Sequence, residues 1–437
     1  MAAKSAFWGL AGPELRSHPV FQACDNNEDL HTCGRFRKLS ELCPLNYQKF
    51  SADQIFTGSE LLSGQSVLIT DRKGTILDLV SLEDAGDDVQ HLRGILSPGF
   101  INAHCHLELS HMRGLIPEHT GLTGFILKII GERHFPEEEI LDAIAAAEAE
   151  MLAGGIVAVG DISNNALTVA QKQLNRLAYY NFIEVSGWVP AIADPRYSAA
   201  LQVSESFRET PHPFSVSPHA PYSVSNELWE LIQPGFAGNT ITIHNQETPG
   251  ENDLFKTGTG DFIDMYHTLN IDQRHFTPTG KSSLQSYFPR LAPAKKIISV
   301  HNTQTEPADI VFANQQVMQA GNELFWCVCP NANLYIENSL PPIELLRRYN
   351  CTITVGTDSL ASNHSLSILD ELKIITKNFP DIPLEELLQW ATINGAAALQ
   401  MEKTLGSFEA GKQPGLISIE GTAPDRLTAD SSVRRIL

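Results

Sequence analysis

The stretch PGFINAHCHLELSHMRG, Pro98–Gly114, places His104, His106 and His111 within eight residues, directly after an apolar run opened by Pro98-Gly99. An apolar run ending in His-x-His reads as the end of a strand. Residues i and i+2 of a strand point to the same side, so His104 and His106 share one face and Cys105 takes the other. Two neutral imidazoles on one face can hold one divalent metal. Alone, the pattern is weak, and its meaning depends on what the rest of the chain supplies.

The chain supplies seven more runs of the same kind. After GILSPGFINAHCHLE (94–108) come GIVAVGDIS (155–163), NFIEVSG (181–187), FSVSPHAPYS (214–223) and TITIHNQE (240–247). IISVHNT (297–303), LFWCVCPNANLYI (324–336) and CTITVGTDSLASN (351–363) complete the eight. Helix-like segments lie between several of them, such as the Ala- and Glu-rich stretch 136–155 with its Gly stop. Eight strand–helix alternations at this length predict a (β/α)8 TIM barrel of the α/β class. Each run ends in a polar residue: His104 and His106, Asp161, Glu184, His219, His244, His301, Asn333, Asp358. A barrel of this kind builds its active site from such strand ends.

Outward from the barrel, SVLITDRKGTILDLV (66–80) reads as a hairpin turning at Asp71-Arg72-Lys73-Gly74. The tail LGSFEAGKQPGLISIEG (405–421) returns to Gly-punctuated β character. The two predict a small discontinuous β-sandwich domain, with parts at 48–97 and 401–437 and the barrel at 98–400 inserted between them. Residues 1–47 lack sustained periodicity and read as a poorly ordered extension. The connection 252–296 is long and predicts a lid or side wall near the barrel mouth. Its TPTGKSS segment falls short of a phosphate loop, because position 275 is His where a Gly is needed.

Bulk properties narrow the function. The chain has 437 residues, 42% hydrophobic and 19% charged, enough apolar material for a sizeable core. A net charge of −20 disfavours nucleic acid and anionic membrane surfaces as partners, and leaves a small molecule. A homodimer is the oligomer allowed for. Seven scattered cysteines form no disulfide or zinc-knuckle spacing, and Cys327 and Cys329 read as buried thiols. With no bilayer-length apolar stretch and no clear leader, a reducing cytoplasm fits best.

His244 and Asp358 complete the metal reading. With His104 and His106 they give an N3O set from the first, fifth and eighth strands, and leave a position open for water. One ion is expected, zinc by ligand type, with iron(II) also compatible. Glu247 follows His244 by three residues. A helical turn starting there puts its carboxylate over the ion as the proton shuttle; the competing reading is a helix-start glutamate satisfying amide donors. Asp358 can also take a proton from the water, and His301 can orient it or polarise the substrate. His219 reads as a substrate contact, or else a structural histidine. Glu108 can bond a ring N–H and Arg113 can pair a carboxylate, unless both are solvated loop charges.

These motifs, in this order, resemble the amidohydrolase superfamily in its deaminase and chlorohydrolase branch, over roughly residues 49–421. The resemblance implies a metal-bearing barrel with an appended β-sandwich, and hydrolytic displacement of a leaving group from a heterocyclic ring. By matching position it assigns metal binding to His104, His106, His244 and Asp358, proton transfer to Glu247 and His301, and substrate contact to His219. Binuclear relatives carry a lysine at the end of strand four; none stands there, which implies one ion. HCHLELS with TDSLASN is most similar to aminodeoxyfutalosine deaminases, with adenosine- and guanine-type deaminases close behind. The expected activity is deamination of a free, purine-related heterocycle. The alternatives are dechlorination of a triazine-like ring and an inactive barrel scaffold, the latter opposed by the complete ligand set.

Overall fold

The computed structural model describes residues 47–423 and 425–437. The expected extension therefore lies outside the described residues, except for Tyr47, which opens the first strand. Strands β1 (Tyr47–Phe56), β2 (Leu61–Ser63), β3 (Ser66–Asp71), β4 (Ile76–Ser81) and β5 (Gln90–Pro98) come first. Eight more follow with helices between them: β6 (Phe100–Cys105), β7 (Ile156–Ser163), β8 (Ala178–Val185), β9 (Phe214–Pro218), β10 (Thr240–Asn245), β11 (Lys296–His301), β12 (Glu323–Val328) and β13 (Thr352–Val355). Strands β14 (Leu416–Glu420) and β15 (Ser432–Arg435) close the chain.

The outer strands form the discontinuous β-domain. Its seven strands run β15-β14-β5-β1-β3-β4, with β2 beside β1. The tail enters through β14, antiparallel to β5 with Leu416 opposite Pro98. The β3–β4 hairpin turns where the sequence predicts. Asp71 Oδ1 accepts the N–H groups of Lys73 and Thr75 at 2.8 Å each, and Gly74 takes a φ of +83°.

Strands β6–β9 and β10–β13 form two four-stranded parallel sheets. Two seams close them into the barrel. At one, His244 N–H donates to the His219 carbonyl at 3.0 Å. At the other, the N–H groups of Thr357 and Asp358 both donate to the His104 carbonyl, at 3.0 and 3.1 Å. Alternate strand residues pack inside, among them Tyr180, Phe182, Ile298, Val300, Phe325 and Cys327, with Leu399 and Leu405 from the chain beyond β13. Their neighbours in sequence, such as Tyr179, Ile183, Ile297 and Trp326, join a larger cluster with helix residues Ile144, Met151, Leu228 and Ile232. This split is the two-faced burial that a helix-wrapped parallel sheet imposes.

Two of the expected runs divide differently. Residues 94–108 are two strands, because the chain changes sheets at Gly99. A Cβ there would lie 2.2 Å from Val157 Cγ1 and 3.0 Å from the Pro414 carbonyl, so only glycine fits the crossing. The run 324–336 is a strand only to Val328. Pro330 then starts the helix Pro330–Glu337, which carries Asn333. Cys327 and Cys329 are buried free thiols. Among the described residues, no helix is long and apolar enough to cross a membrane.

Candidate active site

Four buried side chains meet at the carboxyl ends of the barrel strands. His104 and His106 leave the end of β6, His244 stands near the end of β10, and Asp358 follows β13. Their separations are close: His106 Nε2 to His244 Nε2 is 3.2 Å, His106 Nε2 to Asp358 Oδ1 is 3.5 Å, and His104 Nε2 to Asp358 Oδ1 is 3.7 Å. Ligand atoms at ~2.1 Å around one tetrahedral ion stand roughly 3.4 Å apart. His104, His106 and His244 are close enough together to hold a divalent cation, and Asp358 stands beside the first two of them.

Hydrogen bonding points the same way. His244 Nδ1 donates to the His219 carbonyl at 2.8 Å, which leaves Nε2 as a lone pair facing His106. His104 is fully buried, yet neither of its ring nitrogens has a hydrogen-bond partner. Buried polar atoms are rarely left so, and a cation satisfies one of them. Ser362 Oγ donates to Asp358 Oδ2 at 2.6 Å and leaves Oδ1 free to ligate. Burial holds His106, His219 and His244 down at about 4 and drives His104 and His301 below the usual imidazole range, so all five rings are neutral at physiological pH. Burial pushes the Asp358 carboxyl up, but the imidazoles that surround it, His104 foremost, outweigh this and keep it ionised. Neutral imidazoles beside an ionised carboxylate make the donor set a divalent cation prefers.

Beside this cluster stands Glu247, buried, with Oε2 3.4 Å from His301 Nε2 and Oε1 accepting from Tyr222 Oη at 3.2 Å. Asn333 Nδ2 lies 3.1 Å from His301 Nδ1 and donates to it, which leaves the ring proton on Nε2, facing Glu247. Burial and the nearby Glu251 carboxylate raise the Glu247 carboxyl well above the ordinary range. The expected helical turn at His244 does not form. Strand β10 ends at Asn245, Gln246 takes a left-handed φ of +48°, and the next helix starts at Pro249. A reversed turn, not i,i+3 helical spacing, carries Glu247 to the site.

The remaining expected residues separate. His219 is at the cluster: Nδ1 bonds Ser223 Oγ at 2.8 Å, and its ring lies 4.9 Å from that of His244. Together with Glu184 and His244 it forms a second triad of potential donors. That set is weaker, because its His244 nitrogen already donates to the His219 carbonyl. Glu108 is buried and accepts both the backbone N–H and the side-chain amide of Asn164 at 3.0 Å, and the same amide reaches Glu184 at 2.9 Å. Arg113 is not brought to the cluster. Its exposed guanidinium pairs with Glu150, at 3.0 and 2.5 Å, because the chain has turned away from the barrel axis by then. Asp161, at the end of β7, pairs with the fully buried Lys172 at 2.5 Å and accepts the Leu107 N–H at 2.9 Å, so it is structural. Tyr222 and Ser362 are not among the expected site residues, and Asn333 is expected only as a polar run-end residue. Tyr222 and Ser362 sit three and four residues beyond His219 and Asp358, inside motifs already noted.

The connection 252–296 contributes the helices Pro249–Thr257, Asp261–Thr268 and Ser283–Tyr287. Its Phe262 ring packs 4.3 Å from that of Tyr222, and Tyr266 Oη donates to the Tyr222 carbonyl. It is a wall behind the residue that contacts Glu247.

Known proteins share this arrangement of chain. A 5-methylthioadenosine/S-adenosylhomocysteine deaminase of Teredinibacter turnerae is 28% identical over 351 residues, covering 75% of this chain and 72% of that one. The structure of Helicobacter pylori aminofutalosine deaminase in complex with methylthio-coformycin superposes with a TM-score of 0.70 at 23% identity, over 87% of this chain and 93% of that one. Atrazine chlorohydrolase TrzN from Arthrobacter aurescens TC1, complexed with zinc, gives 0.65 at 17% identity, over 84% and 86%. The two structural likenesses are likenesses of fold. The amidohydrolase family model matches residues 95–434, a span that holds every donor of the cluster, and the chain belongs to the Amidohydrolase family.

Proposed function

We propose that the protein is a hydrolytic deaminase of a free, purine-related heterocycle, dependent on one zinc ion held by His104, His106, His244 and Asp358. The observation that carries this is the spacing of those donors beside a buried, protonatable Glu247. A zinc ion there supplies Lewis acidity that brings the pKa of a bound water to about 7. The chain's own groups do the rest. Asp358 takes the proton of the attacking water as oxygen adds to the amine-bearing carbon. Glu247, whose carboxyl burial favours in the protonated form, gives its proton to the ring nitrogen. It then relays the proton from Asp358 to the amine, the carbon–nitrogen bond breaks with its electron pair leaving on ammonia, and the remaining hydroxyl proton passes to Glu247 as the ring carbonyl forms, which restores its protonated form. His301 Nε2–H holds Glu247 and the water in line, and His219 faces the substrate. We assign this chemistry to a barrel over 98–400, with 48–97 and 401–437 as its β-sandwich support.

The names of the relatives support release of ammonia from a purine-related compound. The likeness to a chlorohydrolase supports a second reading, dechlorination of a triazine-like ring. Protonation of the ring nitrogen by Glu247 serves both readings, and only its second transfer, to the leaving amine, is particular to the first. The test is a panel of adenosine-, guanine-, aminodeoxyfutalosine- and chlorotriazine-type compounds, read for ammonia and chloride, with metal analysis. Ammonia release with one zinc per chain is expected. Glu247→Gln should lower turnover by about 10²–10⁴-fold with metal retained. Chloride release alone, two ions per active chain, or near-normal turnover of metal-replete Glu247→Gln overturns the corresponding part.

A further inference from the structure

Behind Glu247 lies a buried polar node that the chemistry above does not use. Glu251, fully buried, accepts two consecutive backbone amides: Gln246 N–H on Oε1 at 3.0 Å and Glu247 N–H on Oε2 at 3.2 Å. Ser283 Oγ donates to the same Oε1 at 2.5 Å. The Ser283 N–H bonds Asn252 Oδ1 at 2.9 Å, and its neighbour Ser282 Oγ donates to Asp309 Oδ1. The Gln246 side chain completes the node, donating to Asp309 Oδ2 at 2.9 Å and accepting from Thr305 Oγ1 at 2.8 Å. The two serines are those of the TPTGKSS segment in the long connection.

We propose that Glu251, clamped by Ser283, is a positioning residue for proton transfer: its carboxylate holds the Gln246–Glu247 turn and so aims the Glu247 carboxyl at His301. The inference rests on the deaminase reading for its kinetic consequence alone. The left-handed φ of Gln246 is unfavourable for a residue with a side chain, and needs surrounding bonds to persist. Only a carboxylate offers two acceptor oxygens to two adjacent N–H groups. A glutamine in its place turns one of them into a donor facing a donor. Burial pushes the Glu251 carboxyl up, the Ser283 hydroxyl and the two amides pull it back, and the balance lies at about 7. The connection is therefore fastened to the turn that carries the proton shuttle.

The test uses the metal-loaded full chain. Glu251→Gln should lower kcat by about 10- to 100-fold, as expected when a catalytic group is misplaced by up to about 1 Å. KM should stay within about twofold and metal content should be unchanged, because the ligands lie outside the node. Ser283→Ala, which keeps the carboxylate, should lower kcat in the same direction by a smaller factor. In the Glu247→Gln background, adding Glu251→Gln should cost less than about twofold, since groups acting as a unit are not additive. Equal losses in both backgrounds, or loss of metal in either single variant, would make Glu251 a structural residue and overturn the proposal. Amide hydrogen exchange over 245–251 should rise in both single variants. That readout needs no substrate, so it still decides the clamp if wild-type protein deaminates nothing in the panel.

Discussion

Substituting Gly356 by alanine should damage the metal site from behind. Gly356 lies between β13 and Asp358, where the barrel seam brings β13 against β6. A Cβ there would stand 2.7 Å from His104 Cβ, 2.9 Å from the His104 carbonyl oxygen and 3.0 Å from Cys327 Sγ. Ordinary contact begins at 3.4 Å, so His104 and residue 356 must part by about 0.7 Å. Metal–ligand distances tolerate about 0.2 Å, and His104 and Asp358, two of the proposed ligands, lie on opposite sides of this seam. Overpacking of this kind costs about 1–3 kcal/mol in stability. Disturbed support of ligands typically weakens metal binding about 10- to 100-fold. Competition with a chromophoric chelator reads the affinity, and thermal unfolding with and without metal reads the stability. Adding Cys327→Ala should not restore either, because two of the three clashing atoms belong to His104. Wild-type affinity and melting temperature in Gly356→Ala, or rescue by Cys327→Ala, would refute the argument.

Lys172→Met should destabilise the fold by about 3–5 kcal/mol, because it leaves the Asp161 carboxylate buried without its partner. Combining it with Asp161→Asn should recover most of the loss in chemical denaturation, and a double variant as weak as the single would count against the pairing. Glu371 is fully buried, and burial pushes its carboxyl up from 4.5 to about 8. The folded chain thus keeps a proton there that the unfolded chain releases, so this group's contribution to stability falls as pH rises from about 4.5 to about 8. Melting temperatures between pH 5 and pH 8 should fall less steeply in Glu371→Gln than in wild type.

The barrel and the residues gathered at its mouth were legible because strand periodicity is local. A run that alternates inside and outside announces its facing residues, and His104 and His106 needed only their parity. His244, His301 and Asp358 stood at or near run ends, where a barrel gathers polar groups. Partners far along the chain were not legible. Asp161 stood at a run end just as His104 does, and only Lys172, brought back by the fold, separates a structural carboxylate from a ligand. Arg113 stood in the motif itself, yet its partner Glu150 lies on a helix 37 residues later. The reversed turn at Gln246 was hidden too. A glutamine with positive φ carries none of the Gly or Asn signal that normally marks such a turn, and the node that supports it comes from three separate segments. The break at Gly99 was missed for a related reason. Apolar residues continue across it, and the backbone of Pro414 that requires the glycine lies far away in sequence.

The placement of β14 beside β5 sets a timetable for synthesis. When β5 leaves the ribosome it can pair with β1 along one edge, but its other edge must wait for Leu416–Glu420, roughly 320 residues later. At about 5–20 residues per second that interval is roughly 15–60 s. Throughout it the nascent chain exposes an open strand edge, a template for pairing with other chains, while the whole barrel is being made. Slowing translation within the barrel lengthens this exposure.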